Sequence, residues 1–173
     1  MDQLLSDDLW QTIKRLARTE SRKRAAIAYV TSDESVKFGA GDVLVTDASD
    51  EAIKSGQTSA AVLEKAVKSG ARVFSLPNLH AKIFLLGGTA VIGSANLSAS
   101  SQSGLVEAAW VSDRPVVVGM ASSMILDLSE SSDRIDDVFL IKKFADRDGQ
   151  DPEDVWTCNV ATSFSRHLRG TMK

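Results

Sequence analysis

The sequence predicts an α/β protein in which a mixed β-sheet is flanked by helices. Two observations indicate this class. Short apolar runs alternate with segments of helical apolar spacing, and one pair of runs is joined by the two glycines of a tight hairpin. The length of 173 residues fits one domain, and no repeat at a solenoid period is visible. We therefore expect a single domain with both parallel and antiparallel strands.

The first half of the chain is expected to contain three helices and two buried strands. Residues 1–24 form an N-terminal helix, with Ser6 as its N-cap and an apolar stripe that includes Trp10 and Ile13. The residues that follow predict strands at 25–31 and 43–47, a short helix from Ser49 to Gly56, and a longer helix at 58–69.

The second half predicts four more strands and two more helices. The strands are expected at 71–76, 79–86, 89–92 and 105–111, with Gly87 and Gly88 as the hairpin turn. Pro115 opens a helix whose Val117, Met120, Met124 and Leu128 recur at helical spacing and are assigned to the core. A further helix is expected at 135–144. The core with the motif described below thus spans 25–128, and 129–173 holds the last helix, an acidic loop at 145–154 and the tail.

Composition excludes several classes of protein. Cys158 is the only cysteine and His80 and His167 are the only histidines. Neither a disulfide framework nor a structural zinc site of four cysteines, or of two cysteines and two histidines, can therefore be built. No run approaches the roughly 20 apolar residues of a membrane span. The acidic start, MDQLLSDDLW, lacks the pattern of a signal peptide. We expect a cytoplasmic protein with no membrane partner, no metal and no cofactor.

The net charge of −3 argues against a general nucleic-acid coat. One cluster of basic residues could nevertheless bind phosphates. Alternatively, the same residues form a helix face exposed to solvent. The cluster consists of Lys14, Arg15, Arg18, Arg22, Lys23 and Arg24.

The residues that carry chemistry lie in the window 79–96, LHAKIFLLGGTAVIGSAN. His80 and Lys82 are two apart on a predicted strand, so their side chains share a face. The hairpin brings Ser94 and Asn96 to the same end of the next strand. Lys82 supplies a charge, the two polar side chains supply neutral donors, and Gly93 allows close backbone approach. The combination suits a phosphate, and an imidazole can attack phosphorus or carry a proton.

This window resembles the signature of the phospholipase D superfamily, a His-x-Lys strand followed after a hairpin by Gly-Ser-x-Asn. Glu107, on the predicted strand 105–111, matches a glutamate that in the family hydrogen-bonds the motif histidine. One departure stands out: Gly87 occupies the position five residues after the lysine where the family has an aspartate. In the family that aspartate lies at the turn, away from the phosphate.

The resemblance implies a metal-independent phosphodiesterase that works through a phosphohistidine intermediate. Two copies of the motif are needed and this chain has one, so the resemblance implies a homodimer in which each His80 serves one shared site. Small size, the single motif, the expected cytoplasmic character and the basic residues near both ends of the chain favour a nuclease acting on DNA or RNA, with Ser98 lining the substrate groove. The alternatives are a catalytically silent nucleic-acid-binding or assembly module of the same fold, and a phospholipid phosphodiesterase or transferase. His167 is interpreted as a surface residue.

Overall fold

A computed structural model describes residues 2–137, 139 and 140. Eight strands form one sheet in the order β1-β7-β6-β5-β2-β3-β4-β8. The strands are β1 (Asp2–Leu5), β2 (Lys23–Ile27), β3 (Val43–Thr46), β4 (Arg72–Ser75), β5 (Lys82–Leu86), β6 (Thr89–Gly93), β7 (Ala109–Ser112) and β8 (Asp133–Ile135). The helices are α1 (Leu9–Thr19), α2 (Asp50–Lys54), α3 (Ala60–Lys68), α4 (Ala99–Ser103) and α5 (Pro115–Glu130). Strands β2, β3 and β4 run parallel and the other pairings are antiparallel, which confirms the predicted mixed sheet.

Helices cover both faces of the sheet because the central strands are apolar on both sides. In β3, Leu44 packs with the apolar stripes of α1 and α3, whereas Val43 and Val45 pack with α5. On the α5 side the helix presents Ala121 and Ile125 to the sheet. The alternation along β3 therefore sorts the core into two layers, one on each side of the sheet.

The beginning of the chain differs from the prediction. Strand β1 precedes the helix and pairs with β7, and α1 begins at Leu9 with Asp8 in the N-cap position. Ser6 does not cap the helix through its side chain, because its hydroxyl donates to the carbonyl oxygen of Glu107 at 2.9 Å. The pairing of β1 depends on a partner about 110 residues away, which no local pattern reveals.

The predicted hairpin is confirmed, and so is the short helix predicted from Ser49, which is α2. Leu86 pairs with Thr89 across Gly87 and Gly88. The hydroxyl of Ser49 accepts a hydrogen bond from the third residue along, at 3.3 Å. Both features are local, and the residues that make them are adjacent in the sequence.

Two predicted strands are shorter than expected. Strand β5 begins at Lys82 rather than at 79, because Pro77 and the left-handed Asn78 (φ 64°) turn the chain just before it. Strand β7 begins at Ala109 rather than at 105, and the expected loop at 98–104 contains helix α4. The strand predicted at 25–31 is shifted to Lys23–Ile27.

The expected core role of the methionines on α5 is wrong. Met120 is 70% exposed and Met124 is 46% exposed, whereas the buried positions are Ala121, Ile125 and Ser129. The helix is rotated so that small and branched side chains meet the sheet and the methionines point away from it. Strand β8 occupies the start of the helix predicted at 135–144, and the remainder of that prediction is only partly within the described residues.

The basic cluster is divided by the fold. Lys23 forms an ion pair with the buried Asp42 at 3.1 Å, and the guanidinium of Arg24 donates to Ser122 on α5. These two cations are therefore used within the chain. The acidic loop at 145–154, Cys158 and His167 lie outside the described residues.

Candidate active site

The predicted site residues gather at one end of the sheet, where β2 and β6 end and β5 begins. Ile27 at the end of β2 pairs with Lys82, and the next residue of β5, Ile83, pairs with Ile92. Lys82, the first residue of β5, therefore lies beside Gly93, the last residue of β6. The hairpin fixes this register, as the sequence predicts.

His80 lies two residues before β5, in the extended segment that leads into it, and not on the strand as expected. Its side chain is exposed. The imidazole meets the ring of Tyr29 edge-on, with ring centroids 6.5 Å apart, and makes no hydrogen bond to the described residues. A structural histidine would be buried and satisfied. His80 instead presents ring nitrogens that a ligand can use.

Lys82 is the first residue of β5 and is half-buried. Its ammonium donates to the carbonyl oxygen of His80 at 3.0 Å, which holds the cation beside the histidine backbone. Burial lowers the pKa of Lys82 below its ordinary value of 10.5, and the negative charge of Glu107 partly opposes that shift. The electrostatics therefore couple the lysine to the carboxylate of Glu107.

Glu107 is buried, with 8% of its surface exposed, and lies in the connection before β7. Two serine hydroxyls donate to its carboxylate, Ser94 to Oε2 and Ser101 to Oε1, the latter at 2.5 Å. The hydrogen bond to His80 that the family resemblance implies is not formed within one chain. Glu107 is thus held in place by serines on two different elements.

Ser94 has a structural role in addition to the one predicted for it. Its Oγ accepts from the backbone N–H of Ala108 at 3.1 Å and donates its proton to Glu107. Its backbone N–H donates to the Ala108 carbonyl oxygen, also at 3.1 Å. Because its hydroxyl contacts the carboxylate, Ser94 positions Glu107, and its role as a donor to a phosphate stays a prediction.

Asn96 keeps its amide group available to a ligand. The side-chain Oδ1 accepts from the backbone N–H of Tyr29 at 3.3 Å, and the backbone N–H donates to the hydroxyl of Ser101 at 3.1 Å. These contacts orient the side chain so that Nδ2 can donate elsewhere. Tyr29 therefore contacts both His80 and Asn96.

Ser101 is a site residue that the sequence does not reveal. It is 1% exposed and bonds both Glu107 and Asn96, and its carbonyl oxygen accepts from the indole of Trp10 at 2.6 Å. It stands in a run of serines, none of which has a distinguishing sequence signal. Ser98, which was expected to line the groove, caps α4 by accepting from the backbone N–H of Ser101 at 3.2 Å.

Gly93 is required by the close approach of β7. A Cβ at this position would lie 2.2 Å from the carbonyl oxygen of Ala108 and 2.6 Å from the Cα of Ala109. Both are backbone atoms that a rotamer change cannot move. The glycine thus permits the contact that brings Ser94 onto Glu107.

The described residues contain neither a cluster of metal ligands nor a helix suited to a membrane. No three His, Cys, Asp or Glu side chains of residues 2–137, 139 and 140 come close enough together to hold a metal ion. None of the helices in this part of the chain combines the length and apolar character that crossing a bilayer requires.

The comparisons with known proteins concern the fold. No protein-family model and no curated protein sequence matches the chain. Among solved structures, the chain is similar to NucT from Helicobacter pylori, with a TM-score of 0.63 and 15% identity over 78% of this chain and 99% of that one. It is also similar to the phospholipase D family member Nuc from Salmonella typhimurium, with a TM-score of 0.59 and 16% identity over 78% and 97% of the two chains.

A third similar structure is a larger protein. The phosphatidylserine synthase of Haemophilus influenzae Rd KW20 matches with a TM-score of 0.56 and 10% identity, over 97% of this chain and 46% of that one. The eight-stranded mixed sheet, its flanking helices and these likenesses agree with one another. The chain therefore has a phospholipase D-like fold.

Proposed function

We propose that the chain is a metal-independent phosphodiesterase that cleaves nucleic acid through a phosphohistidine intermediate, at a site shared by two copies. The observation that carries the proposal is His80: an exposed imidazole with no hydrogen bond to the described residues, beside a half-buried ammonium. The phospholipase D-like fold and the His-x-Lys and Gly-Ser-x-Asn residues support the same chemistry.

Each side chain has a role in the proposed reaction. A ring nitrogen of His80 attacks phosphorus and forms a P–N bond as the P–O bond to the leaving group breaks. Lys82 and the Nδ2 group of Asn96 balance the charge on the phosphoryl oxygens. The partner copy's imidazolium protonates the leaving oxygen. That imidazole then takes a proton from water, whose oxygen attacks phosphorus and releases His80.

Chelator-resistant cleavage by the full chain tests the proposal. DNA, RNA and bis-p-nitrophenyl phosphate are offered in EDTA to the wild type, to His80→Ala and to His167→Ala. Since these are the only two histidines, the second variant is a matched control. We expect His80→Ala to lose at least about 10³-fold in rate and His167→Ala to retain activity. Equal activity in all three proteins would overturn the assignment of His80.

Two further measurements, of DNA affinity and of phospholipid hydrolysis, separate the alternatives. A DNA affinity that falls with salt, without turnover, would indicate a silent binding module. A solved structure with the same fold, TrmBL2, is described as an archaeal chromatin protein with a novel mode of DNA binding, at a TM-score of 0.53 and 8% identity. Hydrolysis of phosphatidylcholine vesicles without cleavage of nucleic acid would favour the phospholipid reaction instead.

A further inference from the structure

A buried carboxylate follows β3 at the end of the sheet where the candidate site lies. Asp47 comes directly after Thr46, the last residue of β3, and only 8% of its surface is exposed. Among the described residues, no cationic side chain pairs with it. Its oxygens accept from backbone N–H groups instead, Oδ1 from Ser49 at 2.9 Å and Oδ2 from Asn78 at 3.0 Å. A buried carboxylate needs such charge-assisted hydrogen bonds to replace its lost water, so both donors are held firmly.

The two hydrogen bonds of Asp47 differ in range. The one from Ser49 spans two residues and is the local turn that aspartate commonly forms. The one from Asn78 joins positions 31 apart and reaches the turn between β4 and β5. Asn78 has φ 64°, a left-handed conformation that residues with a Cβ rarely adopt. Asp47 therefore stabilises a residue whose backbone conformation is unfavourable by itself.

The turn that Asp47 holds leads directly to His80. Asn78 lies two residues before His80, and Ala81 lies one residue after it. The carbonyl oxygen of Ala81 accepts from the backbone N–H of Ala28 at 2.8 Å. The backbone is therefore fixed on both sides of His80, whereas its imidazole makes no hydrogen bond to the described residues. Since the ring has no such anchor of its own, its position depends on the backbone that carries it.

The aromatic neighbour of His80 is tied to the same point of the fold. Tyr29 follows Ala28, whose carbonyl oxygen accepts from the backbone N–H of Asp47 and from the hydroxyl of Thr46, each at 3.1 Å. The backbone of Asp47 thus secures the segment that carries Tyr29, and its side chain secures the segment that carries His80. The two rings meet edge-on with their centroids 6.5 Å apart. Both partners of this ring contact are therefore connected to Asp47.

We propose that Asp47 is a positioning residue for His80. Its carboxylate sets the backbone of the turn so that the imidazole faces the phosphoryl group. This role rests on the proposed function, in which His80 attacks phosphorus. A displacement of about 1 Å can lower the rate of such an attack about 100-fold. Asn96 is oriented by separate contacts to Tyr29 and Ser101, so phosphate binding should survive the loss of the turn contact.

Two substitutions remove the contact to Asn78 and keep the local turn at Ser49. Asp47→Asn retains one acceptor oxygen, and Asp47→Ser retains a hydroxyl that can accept from Ser49 but ends one bond short of Asn78. Each full-length variant is assayed with bis-p-nitrophenyl phosphate in EDTA. We expect kcat to fall about 10- to 100-fold while KM stays within about 3-fold of the wild type.

Asp42→Asn is the matched control. Asp42 precedes β3 as Asp47 follows it, so it lies at the opposite end of the strand from the site. It is 2% exposed and also accepts from two backbone N–H groups, those of Lys23 and Gly39. Urea unfolding should show a loss of stability for Asp42→Asn as well, but its kcat should stay at the wild-type value. A role confined to stability would instead affect the two aspartates alike.

Proton NMR of His80 tests the position of the imidazole without turnover. In a His167→Ala background His80 is the only histidine, and its ring protons feel the ring current of Tyr29. Asp47→Asn and Asp47→Ser should move these signals toward those of an unstructured histidine, and Asp42→Asn should not. An inactive wild type whose His80 signals respond in this way refutes the hydrolase and keeps the positioning role.

Three results would overturn the positioning role of Asp47. The first is a kcat and a set of His80 signals that Asp47→Asn leaves unchanged. The second is an equal response of both to Asp42→Asn. The third is loss of folding in both Asp47 variants, because the carboxylate would then be a requirement of the fold itself.

Discussion

Replacing Gly93 by alanine should separate β6 from β7 at the point where the site is assembled. The new Cβ would lie 2.2 Å from the carbonyl oxygen of Ala108, more than 1 Å inside ordinary contact. Opening the strands by that amount breaks two hydrogen bonds between Ser94 and Ala108, each now 3.1 Å long. At about 1 kcal/mol per bond, plus about 1–3 kcal/mol for overpacking, the free energy of unfolding should fall by about 3–5 kcal/mol.

Equilibrium urea unfolding at one fixed protein concentration measures this loss. With an m-value of about 2 kcal/mol/M, the midpoint should fall by about 1.5–2.5 M. The matched control is Gly88→Ala in the neighbouring hairpin turn, where an added Cβ meets no atom within 4 Å. We expect that variant to stay within about 0.5 kcal/mol of the wild type. A Gly93→Ala midpoint as close to the wild type as the control's would refute the close strand approach.

Three further predictions concern the site and its turn. Ser101→Ala should lower the phosphodiesterase rate about 10-fold or more, because the carboxylate of Glu107 loses a hydrogen-bond donor. Ser101→Thr keeps a hydroxyl at this position and should recover part of the rate in the same assay. Because burial lowers the pKa of Lys82, the affinity for inorganic phosphate should decline with rising pH already below pH 10.5. Glu107→Gln removes the negative charge that partly opposes this shift, so it should move the decline to lower pH. Titration calorimetry with inorganic phosphate measures both, and an unmoved decline would contradict the coupling between Lys82 and Glu107. Gly87→Asp should lower the free energy of unfolding in urea by about 1–2 kcal/mol, because Gly87 has φ 58° and the carboxylate of Glu20 occupies the space beside it. A double variant that also carries Glu20→Ala should recover part of this loss. If it recovers none, the loss comes from backbone strain alone.

The side chain of Glu20 occupies the space beside Gly87 in this chain. The Oε2 atom of Glu20 lies 2.0 Å from where a Cβ of residue 87 would be. A side chain at position 87 would therefore require the carboxylate end of Glu20, the residue after α1, to move aside. Sequence spacing alone gives no indication that Glu20 and Gly87 meet, since 67 positions separate them.

The sequence by itself determined the elements whose residues are neighbours along the chain. The Gly87–Gly88 hairpin, the short helix from Ser49 and the mixed sheet follow from turn chemistry and from apolar periodicity, and both act over a few residues. The grouping of His80, Lys82 and Asn96 at one end of the sheet follows from the same hairpin.

The tertiary structure decided what depends on partners distant in sequence. The role of Ser94, the burial of Ser101 and the pairing of β1 arise from contacts to residues that periodicity cannot identify. The outward orientation of Met120 could not be predicted from the sequence either. An apolar position on a helix predicts burial, but it does not identify the surface against which the side chain packs. Apolar periodicity indicates that a side chain avoids water. Only the tertiary structure shows which of the two apolar sides of α5 packs against the sheet.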